Sequence, residues 1–309
     1  MRLLSGYITS HLISEAAFCK VLLKQIGDHG ADLVGDEKKN TLTPHRAGHI
    51  YYCLMSESQY PTRKEVRKTA QGATEFVADL VRQVIRQAVA ENGSCSIALA
   101  GGTTPHALYK QLASEGVSSD VPWPDVDVYF GDERDVPHDH VESNFRMAQR
   151  ALLDHVPIDP GRVNPMPADS AQLDAAAERY EQLIRDKVDA LCDGVPSLDL
   201  ILLGMGGDGH TASLFPFTDA LKETERLVIS HFVPVLGRRR MTFTFPLINA
   251  ARNIVALVTG ADKAEAIAAI MGGDQEARRD LPFSMIRPVR GEFCVAMDAA
   301  AHRLVDQSM

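Results

Sequence analysis

The stretch LDLILLGMGGDGHTASLFP, residues 198–216, joins an unbroken apolar run to a glycine-rich loop. Leu200 to Leu203 are consecutive large apolar residues, the pattern of a short strand buried on both faces. Four glycines follow within six residues: Gly204, Gly206, Gly207 and Gly209. Each carries an entropic cost that a plain connector has no reason to bear, so the loop is suited to close approach of backbone to a ligand. Strands of this kind belong to parallel sheets covered by helices, where ligands collect in the loops at the carboxyl ends of the strands.

Working outward, similar short runs occur at S96-I-A-L-A, V126-D-V-Y-F, M241-T-F-T-F, N253-I-V-A-L-V and F293-C-V-A-M. Helical patterns lie between them, near 105–114, 144–155, 173–191 and 261–271. Upstream, from Thr62, the residues Val66, Ala70, Ala73, Val77, Leu80, Val84 and Ala88 recur at three or four positions, predicting one long helix that Asn92-Gly93 ends. Strands alternating with helices predict an α/β fold with a mostly parallel sheet. Residues 1–58 carry no recognisable chemistry and read as an N-terminal extension: a small helical element, a disordered arm, or a region upstream of a later start at Met55. Residues 59–309 then form the main α/β domain.

The 309 residues correspond to about two domains at roughly 150 residues each, or one large α/β domain with an appendage. Apolar residues make up 45% and charged residues 24%, which excludes collagen-like, low-complexity and wholly disordered classes. A net charge of −9 gives no general attraction for nucleic acid or an anionic membrane, so an anionic ligand must be met by locally placed Arg or Lys. Five scattered cysteines with no C-x-x-C pair point to a reducing cytoplasm rather than to a disulfide framework or zinc site. No apolar run approaches the roughly 20 residues of a membrane span, and the N-terminus lacks the apolar core of a secretory signal.

Three further segments carry candidate chemistry. In A100-G-G-T-T-P-H, Gly101 and Gly102 permit close backbone approach, Thr104 is a candidate N-cap and Pro105 suits a helix start; the free N–H groups of such a turn favour phosphate. The lysine of a P-loop is missing, and an ordinary strand-to-helix turn is the alternative. In F130-G-D-E-R-D-V-P, Asp132 and Arg134 stand just beyond a strand, either solvated or clustered with Ser143 and Asn144 at the next helix start. There Arg134 would meet an anion and Asp132 would meet sugar hydroxyls or orient a base. His138 and His140 mimic metal-ligand spacing without a third ligand, so no metal site is assigned. In G237-R-R-R-M-T-F-T-F-P, strand alternation puts Met241, Phe243 and Phe245 on one face and Arg240, Thr242 and Thr244 on the other, with Arg240 available to a phosphate. Within the opening loop, Asp208 is a candidate cap for a helix starting near Thr211, Gly206 allows close approach, and His210 is the general-base candidate because imidazole titrates near neutral pH.

Taken together, G101-G-T-T-P-x-x-L-Y, G131-D-E-R-x-V-P followed by S143-N, and D199-L-x-L-L-G-M-G-x-D-G-H-T-A-S-L-F-P closely resemble the 6-phosphogluconolactonase family. R240-M-T-x-T-x-P-x-I-N and the ending G291 to D298-A-A fit as well, so the resemblance spans roughly residues 62–303. It implies a Rossmann-like three-layer sandwich (NagB-like) shared with glucosamine-6-phosphate deaminases, and cofactor-free hydrolysis of 6-phospho-D-glucono-1,5-lactone in the oxidative pentose phosphate pathway. It also implies His210 as the base that activates water, Asp132 and Arg134 as active-site partners, and the turn Gly101, Gly102, Thr103, Thr104 as the sugar-phosphate cradle. Ser143, Asn144, Gly206, Asp208 and Arg240 complete the expected substrate contacts. The expected partner is the phosphorylated sugar lactone alone, with no nucleic acid or membrane, bound by a monomer or small homo-oligomer. Two departures from the family pattern stand out: Thr103 replaces a frequent Ser, and Val235 aligns with a frequent Lys, which makes Arg238 or Arg239 a substitute phosphate contact. The deaminase branch continues its G-x-D-G-H with I-A-F-N-E-P, whereas this chain has Thr211-Ala212-Ser213-Leu214-Phe215-Pro216 and lacks that carboxylate. A non-catalytic sugar-phosphate sensor would need a helix-turn-helix in residues 1–60, and no basic recognition face is apparent there.

Overall fold

In the computed structural model, which describes residues 63–169, 171–190, 194–272 and 280–305, six strands run parallel in one sheet. They are β1 (Arg63–Arg67), β2 (Cys95–Leu99), β3 (Val126–Phe130), β5 (Leu200–Leu203), β8 (Asn253–Val258) and β9 (Glu292–Asp298). Their spatial order is β1-β9-β8-β5-β2-β3, and every neighbouring pair is parallel. The order of growth reverses around β2 and β5, so the loops after these central strands open onto one crevice. Three antiparallel strands, β4 (Asp132–Arg134), β7 (Arg238–Phe243) and β6 (Val228–Val233), form a second small sheet in the order β4-β7-β6. The expected extension 1–58 and its boundary lie outside the described residues, as do Cys19, Cys53 and Cys192. Among the described residues, Cys95 and Cys294 are free and buried, and no helix is long and apolar enough to cross a membrane.

The central strands are as apolar as the sequence demands: all four residues of β5 are buried, as are the last five of β8. Against them pack the helices α1 (Ala70–Asn92), α2 (Thr103–Leu112), α3 (Asn144–Ala151), α4 (Leu173–Lys187) and α5 (Ala264–Met271). In α1 the buried stripe is Ala73, Val77, Ala78, Val81, Ile85 and Ala88. Burying each of its larger side chains contributes about 1.5–3 kcal/mol. The Thr69 hydroxyl accepts from the Gly72 N–H at 3.1 Å to start α1, and Gly93, at φ 78°, ends it. On α4, Glu181 accepts from the Leu227 and Val228 N–H groups and from Arg185 and Arg226, joining that helix to β6. Burial opposes ionisation of Glu181 and these donors outweigh it, so its carboxyl titrates below the usual range.

The structure differs from the sequence reading in several places. The helical pattern from Thr62 begins later: Arg63–Arg67 is an edge strand paired with β9, and helix starts only at Ala70. Its four charged residues disguise a strand, and are what an exposed edge needs to discourage pairing with another chain. Residues 241–245 do not join the main sheet; the strand is Arg238–Phe243, and Phe245 already belongs to a short helix, Phe245–Asn249. Thr242 and Thr244 are as fully buried as Met241 and Phe243, so alternation does not leave a polar solvent face there. Finally, the helical readings 144–155 and 173–191 end earlier, at Ala151 and Lys187.

The chain leaves the main sheet at Gly131, whose N–H donates to the Leu99 carbonyl and whose carbonyl accepts from the Phe243 N–H. Directly after it, β4 pairs with β7 in the register Asp132↔Thr242, Glu133↔Met241, Arg134↔Arg240. The small sheet therefore holds Asp132 and Arg134 at the carboxyl end of β3.

Candidate active site

A cavity of about 320 Å³ opens at the carboxyl ends of β2, β3, β5 and β8. Eight residues singled out from sequence line it: Gly101, Gly102, Thr103, Thr104, Asp132, Arg134, Gly206 and His210. Ser143, Asn144, Asp208 and Arg240 do not line it, although Asn144 and Asp208 bond to lining residues, Asp132 and His210.

The loop after β5 holds His210 by its backbone. The Gly206 N–H donates to the His210 carbonyl at 2.8 Å, and Gly209 turns the chain at φ 77°. A Cβ on Gly206 would lie 2.1 Å from His210 Nδ1, so only glycine leaves room for the ring. Asp208 Oδ1 lies 2.6 Å from His210 Nδ1 and 3.2 Å from the His210 N–H. Burial works against ionisation of Asp208 and the His210 donors outweigh it, which holds its carboxyl below the usual carboxylate range. An ionised carboxylate accepts, so the proton of a neutral imidazole sits on Nδ1 and the Nε2 lone pair is left for chemistry. Phe215 stacks on the ring, with centroids 4.1 Å apart. Asp208 does not cap a helix as the sequence suggested. Thr211 and Leu214 pair across a tight turn in which Ala212 has φ 47°, and the Thr211 hydroxyl donates to the Gly204 carbonyl. Pro216 biases its predecessor away from helical geometry, which favours this turn over a helix.

The loop after β2 starts α2 with Gly102, not Thr104, as N-cap; its φ of 104° suits glycine. No side chain caps this helix, so the first N–H groups, at Thr103 and Thr104, have no capping partner beside the cavity. Thr104 instead contacts Thr259 through its hydroxyl at 3.3 Å, linking α2 to the loop after β8.

That last loop, T259-G-A-D-K263, supplies the lining residues that sequence reasoning passed over: Thr259, Asp262 and Lys263. Its signal was present, a glycine-containing turn directly after the apolar run N253-I-V-A-L-V, in the same position as the other two glycine loops. The Lys263 ammonium lies 2.9 Å from the Asp262 carboxylate. Lysine is thus present in the cavity although Val235, which aligns with the family lysine, is 76% exposed on the β6–β7 connection. The suggested substitutes are engaged elsewhere: Arg238 pairs with Asp135 and Glu142, and Arg239 with Asp174.

Arg240 is the register partner of Arg134 on the neighbouring strand, 12% exposed, with its guanidinium 3.7 Å from Asp135. Burial, reinforced by the Arg134 and Arg238 charges, pulls its pKa down against the pull of Asp132 and Asp135. Arg134 faces the cavity and donates to the Glu142 carbonyl. Glu133 was not singled out either, yet its carboxylate is fully buried and accepts from the N–H groups of Arg134, Asn144 and Phe145 and from the Ser143 hydroxyl. It anchors the start of α3, and Ser143 also N-caps that helix. Asn144, thus fixed, donates from Nδ2 to the Asp132 carbonyl and to Oδ1 of its carboxylate. His138 and His140 are not joined: His138 bonds the Met166 carbonyl, and His140 accepts from the Glu142 N–H. Among the described residues no three His, Cys, Asp or Glu side chains form a metal-holding group.

The cavity wall thus holds a histidine backed by a carboxylate, an arginine, a fixed aspartate, an uncapped helix start and a lysine. A family model described as glucosamine-6-phosphate isomerases/6-phosphogluconolactonase matches residues 68–295. The chain is 42% identical over 217 residues to a 6-phosphogluconolactonase of Synechocystis, covering 70% of this chain and 87% of that one. It is 40% identical over 205 residues to a 6-phosphogluconolactonase of Streptomyces coelicolor, covering 64% and 78%. The solved 6-phosphogluconolactonase of Trypanosoma brucei superposes with a TM-score of 0.69 at 27% identity, covering 78% of this chain and 97% of that one. A monomeric glucosamine-6-phosphate deaminase shares the fold at 22% identity and a TM-score of 0.65. With motifs, sheet order and cavity all in agreement, this chain belongs to the glucosamine-6-phosphate isomerase/6-phosphogluconolactonase family.

Proposed function

We propose that the chain hydrolyses 6-phospho-D-glucono-1,5-lactone to 6-phosphogluconate. The observation that carries this reading is His210, backed by Asp208, on the wall of a cavity that also holds an uncapped helix start and Lys263. Such a site suits a substrate with a neutral reacting carbonyl and a remote anion. The substrate phosphate docks on the Thr103 and Thr104 N–H groups and the Lys263 ammonium. This grip fixes the ring, so water attack becomes effectively unimolecular. His210 Nε2 takes a proton from water, and the resulting hydroxide bonds to the lactone carbon. Arg134 stabilises the negative charge that develops on the carbonyl oxygen. The tetrahedral intermediate collapses by breaking the bond to the ring oxygen, which receives the proton from His210; the carboxylic acid product then ionises to solvent. Asp132 accepts a hydrogen bond from a sugar hydroxyl. No cofactor enters this scheme. Phe215 lies on the imidazole face, in the position where the deaminase run has its carboxylate, which favours hydrolysis over amino-sugar chemistry. We place the enzyme in the cytoplasm on the strength of its scattered cysteines.

The test is the dependence on phosphate. The phosphorylated lactone should be opened with kcat/KM at least about 10²-fold above that of glucono-1,5-lactone, the loss expected when a charged anchor is removed; equal values would remove the phosphate from the reading. Lys263→Ala should raise KM for the phosphorylated lactone by roughly 10-fold with a small change in kcat, because a remote contact acts alike in ground and transition states. Arg240→Ala, expected from sequence to be available to the phosphate, should raise KM less than Lys263→Ala, since Arg240 does not line the cavity. The reverse ranking in steady-state kinetics would return the phosphate to Arg240.

A further inference from the structure

The Asp132 carboxylate is held from two directions. Its Oδ1 accepts from Asn144 Nδ2 at 3.2 Å, and its Oδ2 accepts from the Ser213 hydroxyl at 2.7 Å. Asn144 comes from the start of α3, whereas Ser213 comes from the loop that carries His210, three residues further along the chain. The Ser213 hydroxyl therefore bridges the two segments on which the proposed chemistry depends.

Ser213 is itself fixed. It is 2% exposed; its N–H donates to Thr242 Oγ1 at 3.2 Å, and its carbonyl lies 2.7 Å from His231 Nε2. For that short contact to be a hydrogen bond the imidazole must carry its proton on Nε2. Burial pulls the His231 pKa down, with the Arg239 and Arg240 charges acting in the same sense and the bond to Ser213 opposing, so the ring stays a neutral donor. Both partners belong to the small sheet, His231 on β6 and Thr242 on β7, and Thr242 is the register partner of Asp132. The preceding residue, Ala212, lines the cavity at φ 47°, a left-handed conformation that is strained for a non-glycine residue and persists only where neighbours over-determine it. Ser213 supplies three of the bonds that do so.

We infer that Ser213 is a positioning residue, whose hydroxyl sets the orientation of the Asp132 carboxylate at the cavity wall relative to His210. The inference rests on the proposed lactone hydrolysis for its kinetic consequence, and on the hydrogen-bond geometry for the orientation itself. With one oxygen on Ser213 and the other on Asn144, the remaining lone pairs of Asp132 point in fixed directions. Without the hydroxyl the carboxylate turns about its Cβ–Cγ bond, and misplacement on the order of 1 Å costs up to about 10²-fold in rate.

The experiment is a double-mutant cycle with Ser213→Ala and Asp132→Asn, read as kcat/KM on 6-phosphogluconolactone and paired with a crystal structure of Ser213→Ala. Ser213→Ala should lower kcat/KM roughly 10-fold to 10²-fold in the wild-type background and less than about 2-fold in the Asp132→Asn background, because coupled residues are non-additive. Ser213→Thr, which restores the hydroxyl, should recover much of the loss. In the Ser213→Ala crystal the carboxylate should be rotated or split between conformers. An equal loss in both backgrounds, wild-type kcat/KM in Ser213→Ala, or an unmoved carboxylate would overturn the proposal. If the Ala variant does not fold, Ser213→Cys keeps the volume, loses the strong donor and carries the same cycle. Wild-type protein that failed to open the lactone would defeat the functional reading, while the carboxylate orientation would still decide the role of Ser213.

Discussion

His210→Ala is expected to lower kcat for lactone opening by about 10²–10⁴-fold, the range for loss of a general base, with a much smaller change in KM. The imidazole is placed for this by four features that do not depend on substrate. The Gly206 N–H holds its backbone, Asp208 holds Nδ1, Phe215 covers one face, and the cavity lies alongside. Because the base works only when neutral, the wild-type rate should fall on the acid side as the imidazole takes up a proton, and the variant should lose that limb. Asp208, held ionised to lower pH than an ordinary carboxylate, fixes the proton of the neutral ring on Nδ1. Steady-state kinetics over pH check both points. Near-normal kcat with an unchanged profile would make His210 structural and move the base to Asp132.

Gly101→Ala should be nearly as damaging, although it adds only a methyl group. Its Cβ would lie 1.9 Å from Asn144 Oδ1, 2.3 Å from Cγ and 2.5 Å from Nδ2. Asn144 cannot move aside cheaply: it is buried, its N–H is held by Glu133 and its Nδ2 by Asp132. Overpacking of this kind costs about 1–3 kcal/mol, and here the strain falls on Asp132 and on the turn after β2 together. We expect a lower melting temperature and a loss in kcat/KM on the order of 10²-fold, comparable to misplacing a reacting group by about 1 Å. Adding Asn144→Ala should make room for the methyl group and return most of the stability without returning full activity. A Gly101→Ala enzyme with wild-type stability and turnover would refute the interlock.

Much of this was legible in the sequence because the relevant signals are local. Unbroken apolar runs such as N253-I-V-A-L-V mark strands covered on both faces, and glycines directly after them mark loops with close backbone approach. Gly101, Gly102, Gly206 and His210 were found that way, and the motif order gave the family. What was missed depends on partners distant in sequence. The strand Arg63–Arg67 is defined by pairing with β9, more than two hundred residues away, and its charged composition hides it. Thr242 and Thr244 were assigned to the polar face of their strand, and alternation cannot report that this face is buried as well. Glu133, a charged residue at a strand end, was given no role; only the arrival of the α3 N-terminus makes it a buried anchor. Asn144 read as a substrate contact but supports Asp132, because sequence places it near the site without showing which way it faces.

The most direct measurement is turnover by the purified protein on two substrates side by side: freshly generated 6-phosphogluconolactone, corrected for spontaneous ring opening, and glucosamine 6-phosphate, followed by ammonia release. The account predicts strong acceleration of lactone opening, abolished or nearly so by His210→Ala, and no ammonia above background. Ammonia release from the amino sugar, or a lactone opening no faster than the uncatalysed reaction, would contradict it.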